Sequence, residues 1–179
     1  MLRLPHHLAF DFYKDFLHWY CKWAKPSFLE VGCLGGDLCA SLETTKSIGI
    51  DLNIHADWQT YMDKYAGRVQ FYQTSSDEFF KHLDPAVKFG LIFIDGDHHR
   101  DQVLKDTYNS LLRLEQDGLI CLHDTYPPSV GDTAEHLCGT AYQAAIELRR
   151  DSGLEVYTFP VTYGLTLVQP IGVGFPWTL

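Results

Sequence analysis

Two hydrophobic patterns alternate along the chain, one repeating at helical spacing and one forming short apolar runs. The helical pattern appears in residues 8–23, 103–112 and 141–148. The short runs predict five strands, at residues 28–31, 47–50, 69–73, 89–94 and 119–122. Because strands that alternate with helices usually pair in parallel, this order predicts an α/β fold with a mostly parallel sheet.

The run from Phe89 to Ile94 is the clearest of these strands. It is short and apolar, and Asp95-Gly96 ends it, as expected for a strand that helices cover on both faces. We therefore expect this strand near the centre of the sheet, with helices on both sides.

The end of the chain has a different pattern. Residues 155–160 and 164–168 are two strand-like runs with no room for a helix between them. Strands joined by so short a connection pair antiparallel. The complete prediction is a seven-stranded sheet whose last two strands form an antiparallel hairpin.

Single residues predict the limits of the helices. Pro26 follows the first helix, whose pattern begins at Leu8, and Gly118 ends the helix of residues 103–112. A short helix is expected from about residue 37 to residue 45. Together these limits set the expected helix lengths.

Length and composition favour a single domain over residues 1–179. Apolar residues make up 46% of the chain, yet no apolar run approaches the roughly 20 residues of a membrane span. The first residues lack the long apolar segment of a secretory signal. The five cysteines are an odd number without a Cys-x-x-Cys pair, which favours reduced thiols and a cytoplasmic protein.

The net charge of −9 argues against a nucleic-acid partner, since such partners are bound through many Lys and Arg contacts to phosphate. The basic residues are also scattered rather than clustered. We expect no nucleic-acid and no membrane partner, and a homo-oligomer stays open.

The residues after the first two predicted strands are candidates for ligand binding, because ligands of open parallel sheets lie beyond the strand ends. The turn from Gly32 to Gly36 lets a ligand approach the backbone. Asp51 comes 19 residues after Gly32, a spacing at which a carboxylate can accept both hydroxyls of an adenosine ribose. An ordinary tight turn and a helix-capping Asp would look the same, so only the pair is informative.

Small hydroxyl side chains follow the third predicted strand. Ser75 and Ser76 can hydrogen-bond the edge of an adenine, or they can cap the N-terminus of the next helix. Both interpretations stay open at this point.

Two polar clusters follow the fourth and fifth predicted strands. Asp95, Asp97 and His98 belong to the first cluster, and His123 and Asp124 to the second. Carboxylates and imidazoles that meet in one crevice either bind a divalent cation or pair as general acid and base. The segment after Asp124, residues 126–140, is too long for a simple connection and is expected to form one wall of an acceptor site.

Four segments together resemble class I S-adenosylmethionine-dependent methyltransferases: Glu30-Val31-Gly32 with Gly36, Ile48 to Asp51, Leu91 to His98, and Ile120 to Thr125. Within that superfamily the chain is most similar to the metal-dependent O-methyltransferases that include macrolide-sugar and cephamycin-biosynthesis enzymes. The similarity runs from about Phe28 to Val168. It implies a Rossmann-like methyltransferase domain that methylates a hydroxyl of a small molecule with the help of a divalent cation.

The resemblance also implies a set of cofactor contacts. Asp51 is expected to bind the ribose of S-adenosylmethionine, and Ser75 or Ser76 to lie near its adenine. The other expected contacts are Glu30, Gly32, Cys33, Leu34, Gly36 and Asp95.

The same resemblance assigns the reactive roles. Asp95, His123 and Asp124 are the expected metal ligands, and either Asp97 or His98 is the expected general base. Because an imidazole suits Mn²⁺ better than the harder Mg²⁺, the identity of the cation stays open between these two and softer ions.

Three other functions remain as alternatives. Asp97-His98-His99 spells the signature of one family of metal-dependent phosphoesterases, but the further ligands of that family on an early strand are missing. A nicotinamide oxidoreductase would also use Asp51 and a glycine turn, but Gly-x-Gly-x-x-Gly is absent. A catalytically inactive module of the same fold would bind the cofactor without transferring a methyl group.

Overall fold

The computed structural model describes residues 12–173, in which helices and strands alternate as predicted. The strands are β1 (Ser27–Val31), β2 (Lys46–Asp51), β3 (Val69–Gln73), β4 (Phe89–Ile94), β5 (Leu114–His123), β6 (Leu154–Phe159) and β7 (Leu165–Pro170). The α-helices are α1 (Phe12–Ala24), α2 (Asp37–Ser41), α3 (Asp57–Lys64), α4 (Ser76–His82), α5 (Arg100–Leu111) and α6 (Ala141–Leu148). A 3₁₀ helix spans Val130–Thr133.

The seven strands form one sheet in the order β3-β2-β1-β4-β5-β7-β6. Strands β1 to β5 pair in parallel, and β4 lies in the middle of the sheet, as predicted. The predicted hairpin is also confirmed, since β7 pairs antiparallel with both β5 and β6. The chain runs from β1 to one side of the sheet and returns to β4 on the other, so the carboxyl ends of β1 and β4 flank the crevice where ligands of such sheets lie.

Two apolar layers cover the sheet, because successive side chains of a strand point to opposite faces. Phe28 and Phe93 face the layer that contains α1, α2 and α3. Leu29 and Ile92 face the layer that contains α4, α5 and α6. All four side chains are fully buried, and burial of each contributes roughly 2 kcal/mol to folding. The crevice is therefore built on a rigid, doubly covered sheet.

The prediction that Gly118 ends a helix is wrong. Helix α5 ends at Leu111, and Gly118 lies inside β5. The strand starts early because Phe89 pairs with Leu114, and an irregularity before the next pair, Leu91 with Leu119, absorbs the extra residues. Residues 115–117 are polar, so the hydrophobic pattern does not predict this part of the strand.

Two helices also differ from expectation. Helix α2 ends at Ser41, short of residue 45, and α3 was not predicted. Its apolar side chains recur at helical spacing, in Trp58, Tyr61 and Met62, but only Trp58 is buried. Leu8, where the pattern of the first helix begins, lies outside the described residues. The N-terminal segment, in which no secretory signal is expected, also lies outside them.

The described residues contain no helix that is both long and apolar enough to cross a bilayer. All five cysteines fall within this part of the chain, where each is buried and none forms a disulfide.

Candidate active site

The glycine turn after β1 packs directly against the end of β4. Gly32 adopts φ +84°, and a Cβ added there would lie 2.3 Å from the Asp95 carbonyl oxygen and 2.4 Å from the Gly96 Cα. The amides of Gly32 and Cys33 donate to the Ile50 carbonyl at 2.9 and 3.1 Å. Only glycine fits this position, because both its φ and its surroundings exclude a side chain.

Asp51 is oriented by backbone amides at the end of β2. Its Oδ2 accepts a hydrogen bond from the Leu34 amide at 2.9 Å, and its Oδ1 accepts one from the Asn53 amide at 3.0 Å. The structure thus joins Asp51 to the turn that begins at Gly32. Leu34 itself is exposed. The glycine turn and the Asp51 carboxylate therefore lie side by side, while their contact with a cofactor stays a prediction.

Gly36 and Cys33 complete the turn beneath this surface. Gly36 precedes α2, and a Cβ there would lie 2.4 Å from the ring of Phe71. Cys33 is buried, and burial raises the pKa of its thiol well above the usual range. Its sulfur therefore stays protonated and acts as packing under the turn.

Glu30 is a buried carboxyl group on β1, beneath the same turn. It is 5% exposed, and within the described part of the chain its Oε2 has no hydrogen-bond partner. Burial raises the pKa of Glu30 to about 8, although a hydrogen bond with Cys39 opposes the shift. An uncharged acid is the favoured form here at neutral pH, since burial penalises the carboxylate.

The two serines after β3 have local partners in α4 and α5. Ser75 caps α4, its hydroxyl accepting a hydrogen bond from the Glu78 amide at 3.2 Å. The Ser76 hydroxyl accepts one from Gln102 at 3.1 Å. The capping interpretation of Ser75 is therefore correct, while an adenine contact of either residue stays a prediction.

At the ends of β4 and β5, Asp95 contacts two imidazoles. Its Oδ1 lies 3.1 Å from His123 Nδ1 and 3.7 Å from His98 Nε2. Burial would raise the pKa of Asp95, but hydrogen bonding to His123 and His98 outweighs burial and lowers it to about 2. Asp95 is therefore ionised at any physiological pH.

His123 is held on the inner side of this cluster. Its ring lies against the rings of Tyr13 and Phe93, with centroid distances of 4.3 and 6.1 Å. Burial would lower the pKa of His123, but hydrogen bonds to Asp124 and Asp95 outweigh it and raise the pKa to about 10. In the described part of the chain, the buried Nε2 of this ring lacks a hydrogen-bond partner.

His98 lies between the two strand ends. Its Nε2 is 3.3 Å from Asp124 Oδ2, and its Nδ1 donates to the Leu137 carbonyl. Contacts with Asp95 and Asp124 raise the pKa of His98, against the effect of burial. The Thr140 amide donates to the His98 carbonyl at 2.9 Å. The segment after β5 therefore holds both the backbone and the ring of this histidine.

Asp124 has a strained backbone and a buried side chain. Its φ is +56°, a conformation that costs a non-glycine residue on the order of 1 kcal/mol, and it is 8% exposed. The Cys138 sulfur lies 3.9 Å from its Oδ1. Sequence reasoning missed Leu137 and Cys138 as neighbours of the cluster, although it singled out the segment that carries them.

Asp97 and His98 separate in the structure, although they are adjacent in sequence. Asp97 is exposed; its Oδ1 accepts a hydrogen bond from the His99 amide at 2.8 Å and lies 2.6 Å from His99 Nδ1. Of the two predicted bases, His98 alone contacts the ionised Asp95. The role of each stays a prediction.

A divalent cation fits the cluster. Asp95, His98 and Asp124 each offer one ligand atom, and these atoms all lie within 4.8 Å of one another. Two carboxylates and an imidazole form a donor set that suits Mn²⁺, Fe²⁺ or Zn²⁺ as well as Mg²⁺. The group differs from the predicted ligand set in containing His98, whereas His123 reaches Asp95 and Asp124 through Nδ1.

The profile of the protein family described as "Methyltransferase domain" matches residues 29–125, which is more than half of the chain. The chain belongs to this family. The match begins in β1 and ends just after β5, so it includes both the glycine turn and the carboxylate–imidazole cluster. A search of curated protein sequences gives no significant match.

Solved structures show the same fold at low sequence identity. A putative caffeoyl-CoA O-methyltransferase from Staphylococcus aureus is 14% identical, with TM-score 0.72, and the alignment covers 94% of this chain and 86% of that one. The SAH-bound methyltransferase PaMTH1 from Podospora anserina is 18% identical, with TM-score 0.70 and coverages of 88% and 77%. The O-methyltransferase TomG from Streptomyces achromogenes, in complex with SAM, is 16% identical, with TM-score 0.68 and coverages of 94% and 84%. At identities this low, the similarity of these structures shows a shared fold and nothing more.

Proposed function

We propose that this methyltransferase transfers the methyl group of S-adenosylmethionine to a hydroxyl of a small molecule, assisted by a divalent cation. The observation that carries the proposal is the contact between the two halves of the site. Gly32 packs on the Asp95–Gly96 backbone, and Asp95 in turn contacts His98. A cofactor bound on the turn would therefore lie beside the cluster.

Cofactor binding is assigned to the turn and Asp51. Asp51 is fixed by two backbone amides, so its carboxylate can accept ribose hydroxyls without losing side-chain freedom on binding. The fold is shared with the SAH-bound PaMTH1 and the SAM complex of TomG, which supports the same cofactor here. Glu30, Cys33, Leu34, Gly36, Ser75 and Ser76 remain the proposed surroundings of that cofactor.

His98 is assigned the role of general base. It would take the proton of the acceptor hydroxyl through Nε2. Bound S-adenosylmethionine would supply the methyl group to that oxygen, its carbon–sulfur bond giving way so that the sulfonium becomes a neutral thioether. The hydrogen bond from Nδ1 to the Leu137 carbonyl fixes the ring and its tautomer. Positioning of the two reactants supplies much of the rate.

Asp95 and Asp124 would hold the cation, with His123 ordering the two carboxylates from behind, and His98 offers a third ligand atom only when it is not the base. A bound cation would supply Lewis-acid stabilisation of the developing alkoxide. A metal-bound His98 would leave proton transfer to Asp97, the base that the sequence kept open. Metal binding and proton transfer by His98 are therefore two assignments that experiment must separate.

The proposal is tested by binding and by turnover. We expect calorimetric titration with S-adenosylhomocysteine to give micromolar or tighter binding. We also expect transfer of radiolabelled methyl from S-adenosylmethionine to at least one member of a panel of small hydroxyl compounds, increased by Mg²⁺ or Mn²⁺ and reduced by EDTA. Asp124→Asn should lose the metal response while retaining cofactor binding.

Other outcomes select the alternatives. Cofactor binding without methyl transfer to any compound would favour the catalytically inactive module. Full activity in EDTA would remove the cation from the proposal. No binding of S-adenosylhomocysteine, together with hydrolysis of a generic phosphodiester, would favour the phosphoesterase.

A further inference from the structure

A cavity of about 680 Å³ lies between the segment after β5 and helix α6. One wall is formed by residues 125–130, starting directly after Asp124. Tyr142, Ile146 and Arg149 form the helical wall, and Thr158 of β6 lies across the cavity from them. Its volume falls within the roughly 300–1,000 Å³ typical of small-molecule sites.

Arg149 is the one charged residue among the described residues that line this cavity. Within residues 12–173 it forms no salt bridge, whereas Arg100 on α5 is paired with Asp101 and Glu147. An exposed arginine without a carboxylate partner can pair with an anionic ligand without first breaking a salt bridge.

A chain of hydroxyl groups orients Arg149 and connects it to Thr125, the residue after Asp124. Arg149 Nη2 donates to Thr158 Oγ1, which lies 2.6 Å from Thr166 Oγ1. Thr166 Oγ1 lies in turn 2.7 Å from Thr125 Oγ1, and both of these threonines are buried. The guanidinium is therefore held by one hydrogen bond, while its other N–H groups can bind a ligand.

The remaining walls suit a flat apolar ligand. Tyr126 and Tyr142 contribute rings, and Pro127, Pro128 and Pro160 contribute rigid apolar surface. Rings and prolines of this kind bury planar compounds with little loss of side-chain entropy.

We infer that this cavity binds the methyl acceptor, and that the acceptor is a planar hydroxy compound carrying a carboxylate or phosphate that pairs with Arg149. The inference rests on the proposed function, because it supplies the substrate class for the same site. A guanidinium group binds a carboxylate or a phosphate in the same way, through two parallel hydrogen bonds, so Arg149 can recognise either anion.

The test measures equilibrium binding, without cofactor, of 4-hydroxybenzoate, its neutral amide 4-hydroxybenzamide, and phenyl phosphate. We expect the wild type to bind 4-hydroxybenzoate about tenfold more tightly than the amide, as a charge-assisted hydrogen bond predicts. Arg149→Gln should abolish this preference and Arg149→Lys should retain part of it. The comparison of 4-hydroxybenzoate with phenyl phosphate shows which oxyanion, carboxylate or phosphate, the site prefers.

Arg150→Gln is the matched control, because Arg150 is the next residue along the chain and does not line the cavity. It should keep the preference for the acid. Equal affinity of acid and amide in the wild type, a preserved preference in Arg149→Gln, or no binding of any probe would overturn the inference.

The outcome is separable from that of the proposed function. An Arg149-dependent preference in a protein that transfers no methyl group would support the anion site and contradict the proposed reaction. Methyl transfer with no dependence on Arg149 would support the reaction and contradict the anion site.

Discussion

The two halves of the candidate site are built from different parts of the chain. At the ends of β1 and β2 the backbone makes the site: amides of residues 32–34 hold the turn, and glycine lets it touch β4. At the ends of β4 and β5 side chains make it, because Asp95 and Asp124 each contact both His98 and His123.

This difference predicts how each half responds to substitution. Replacing a glycine in the backbone-built half acts through shape and should destabilise the fold. A change in the side-chain-built half removes a charge or a proton acceptor from a rigid frame, so it should alter chemistry and leave folding nearly intact. The following predictions test that contrast.

Gly32→Ala should have the largest effect. Its Cβ would meet backbone atoms at 2.3 and 2.4 Å at φ +84°, so left-handed strain and overpacking should together cost about 3–5 kcal/mol of unfolding free energy. Gly67→Ala is the control, because Gly67 has φ +80° but nothing within 4 Å of the added Cβ. Equal losses for the two variants in denaturant unfolding would show that the contact with β4 is unimportant.

His98→Ala should reduce kcat by about 10²–10⁴-fold, the usual contribution of a general base, with nearly unchanged affinity for S-adenosylhomocysteine. His99→Ala is the control, since His99 is exposed and pairs with Asp97. Turnover at saturating cofactor and calorimetric affinity are the measurements. A parallel fall of kcat and cofactor affinity would mean that His98 acts through the shape of the site.

Glu30→Gln should change how stability depends on pH. The folded protein holds the Glu30 pKa at about 8 rather than 4.5, so the folded state keeps a proton that the unfolded state releases. Stability from this group is therefore greatest below pH 4.5 and falls as pH rises toward 8, by up to about 5 kcal/mol.

The Gln variant mimics the neutral acid and should lack this loss, so it should exceed the wild type in stability above pH 8. Glu43→Gln, at an exposed position, should leave the wild-type pH dependence in place. Urea unfolding between pH 5 and 9 measures it. Parallel curves for wild type and Glu30→Gln would contradict a raised pKa.

Asp51→Asn should have the smallest effect, a loss of about tenfold in cofactor affinity with little change in kcat at saturation. Asn keeps one acceptor oxygen, so one of the two amide contacts survives. Asp57→Asn, on the first turn of α3, should leave affinity unchanged. An unchanged affinity in Asp51→Asn would remove this carboxylate from the proposed ribose contact.

Hydrophobic pattern determined most of the fold. Strands β3 and β4 were predicted with their observed limits, and the terminal hairpin followed from the short connection between its strands. Strand β4 is readable because all of its residues are buried, and the hairpin because the spacing of its strands excludes a helix. Helix α3 and the start of β5 were missed because few of their side chains are buried, so the pattern there is weak.

The sequence also determined which residue types follow each strand, and hence that the reactive groups gather at the ends of β4 and β5. Tertiary structure decided their partners. Asp97 and His98 are adjacent in sequence, yet one turns to His99 and the other to Asp124, 26 residues away. That choice depends on Leu137 and Thr140, which hold His98 from the segment after β5, and such long-range hydrogen bonds leave no periodic pattern in the chain.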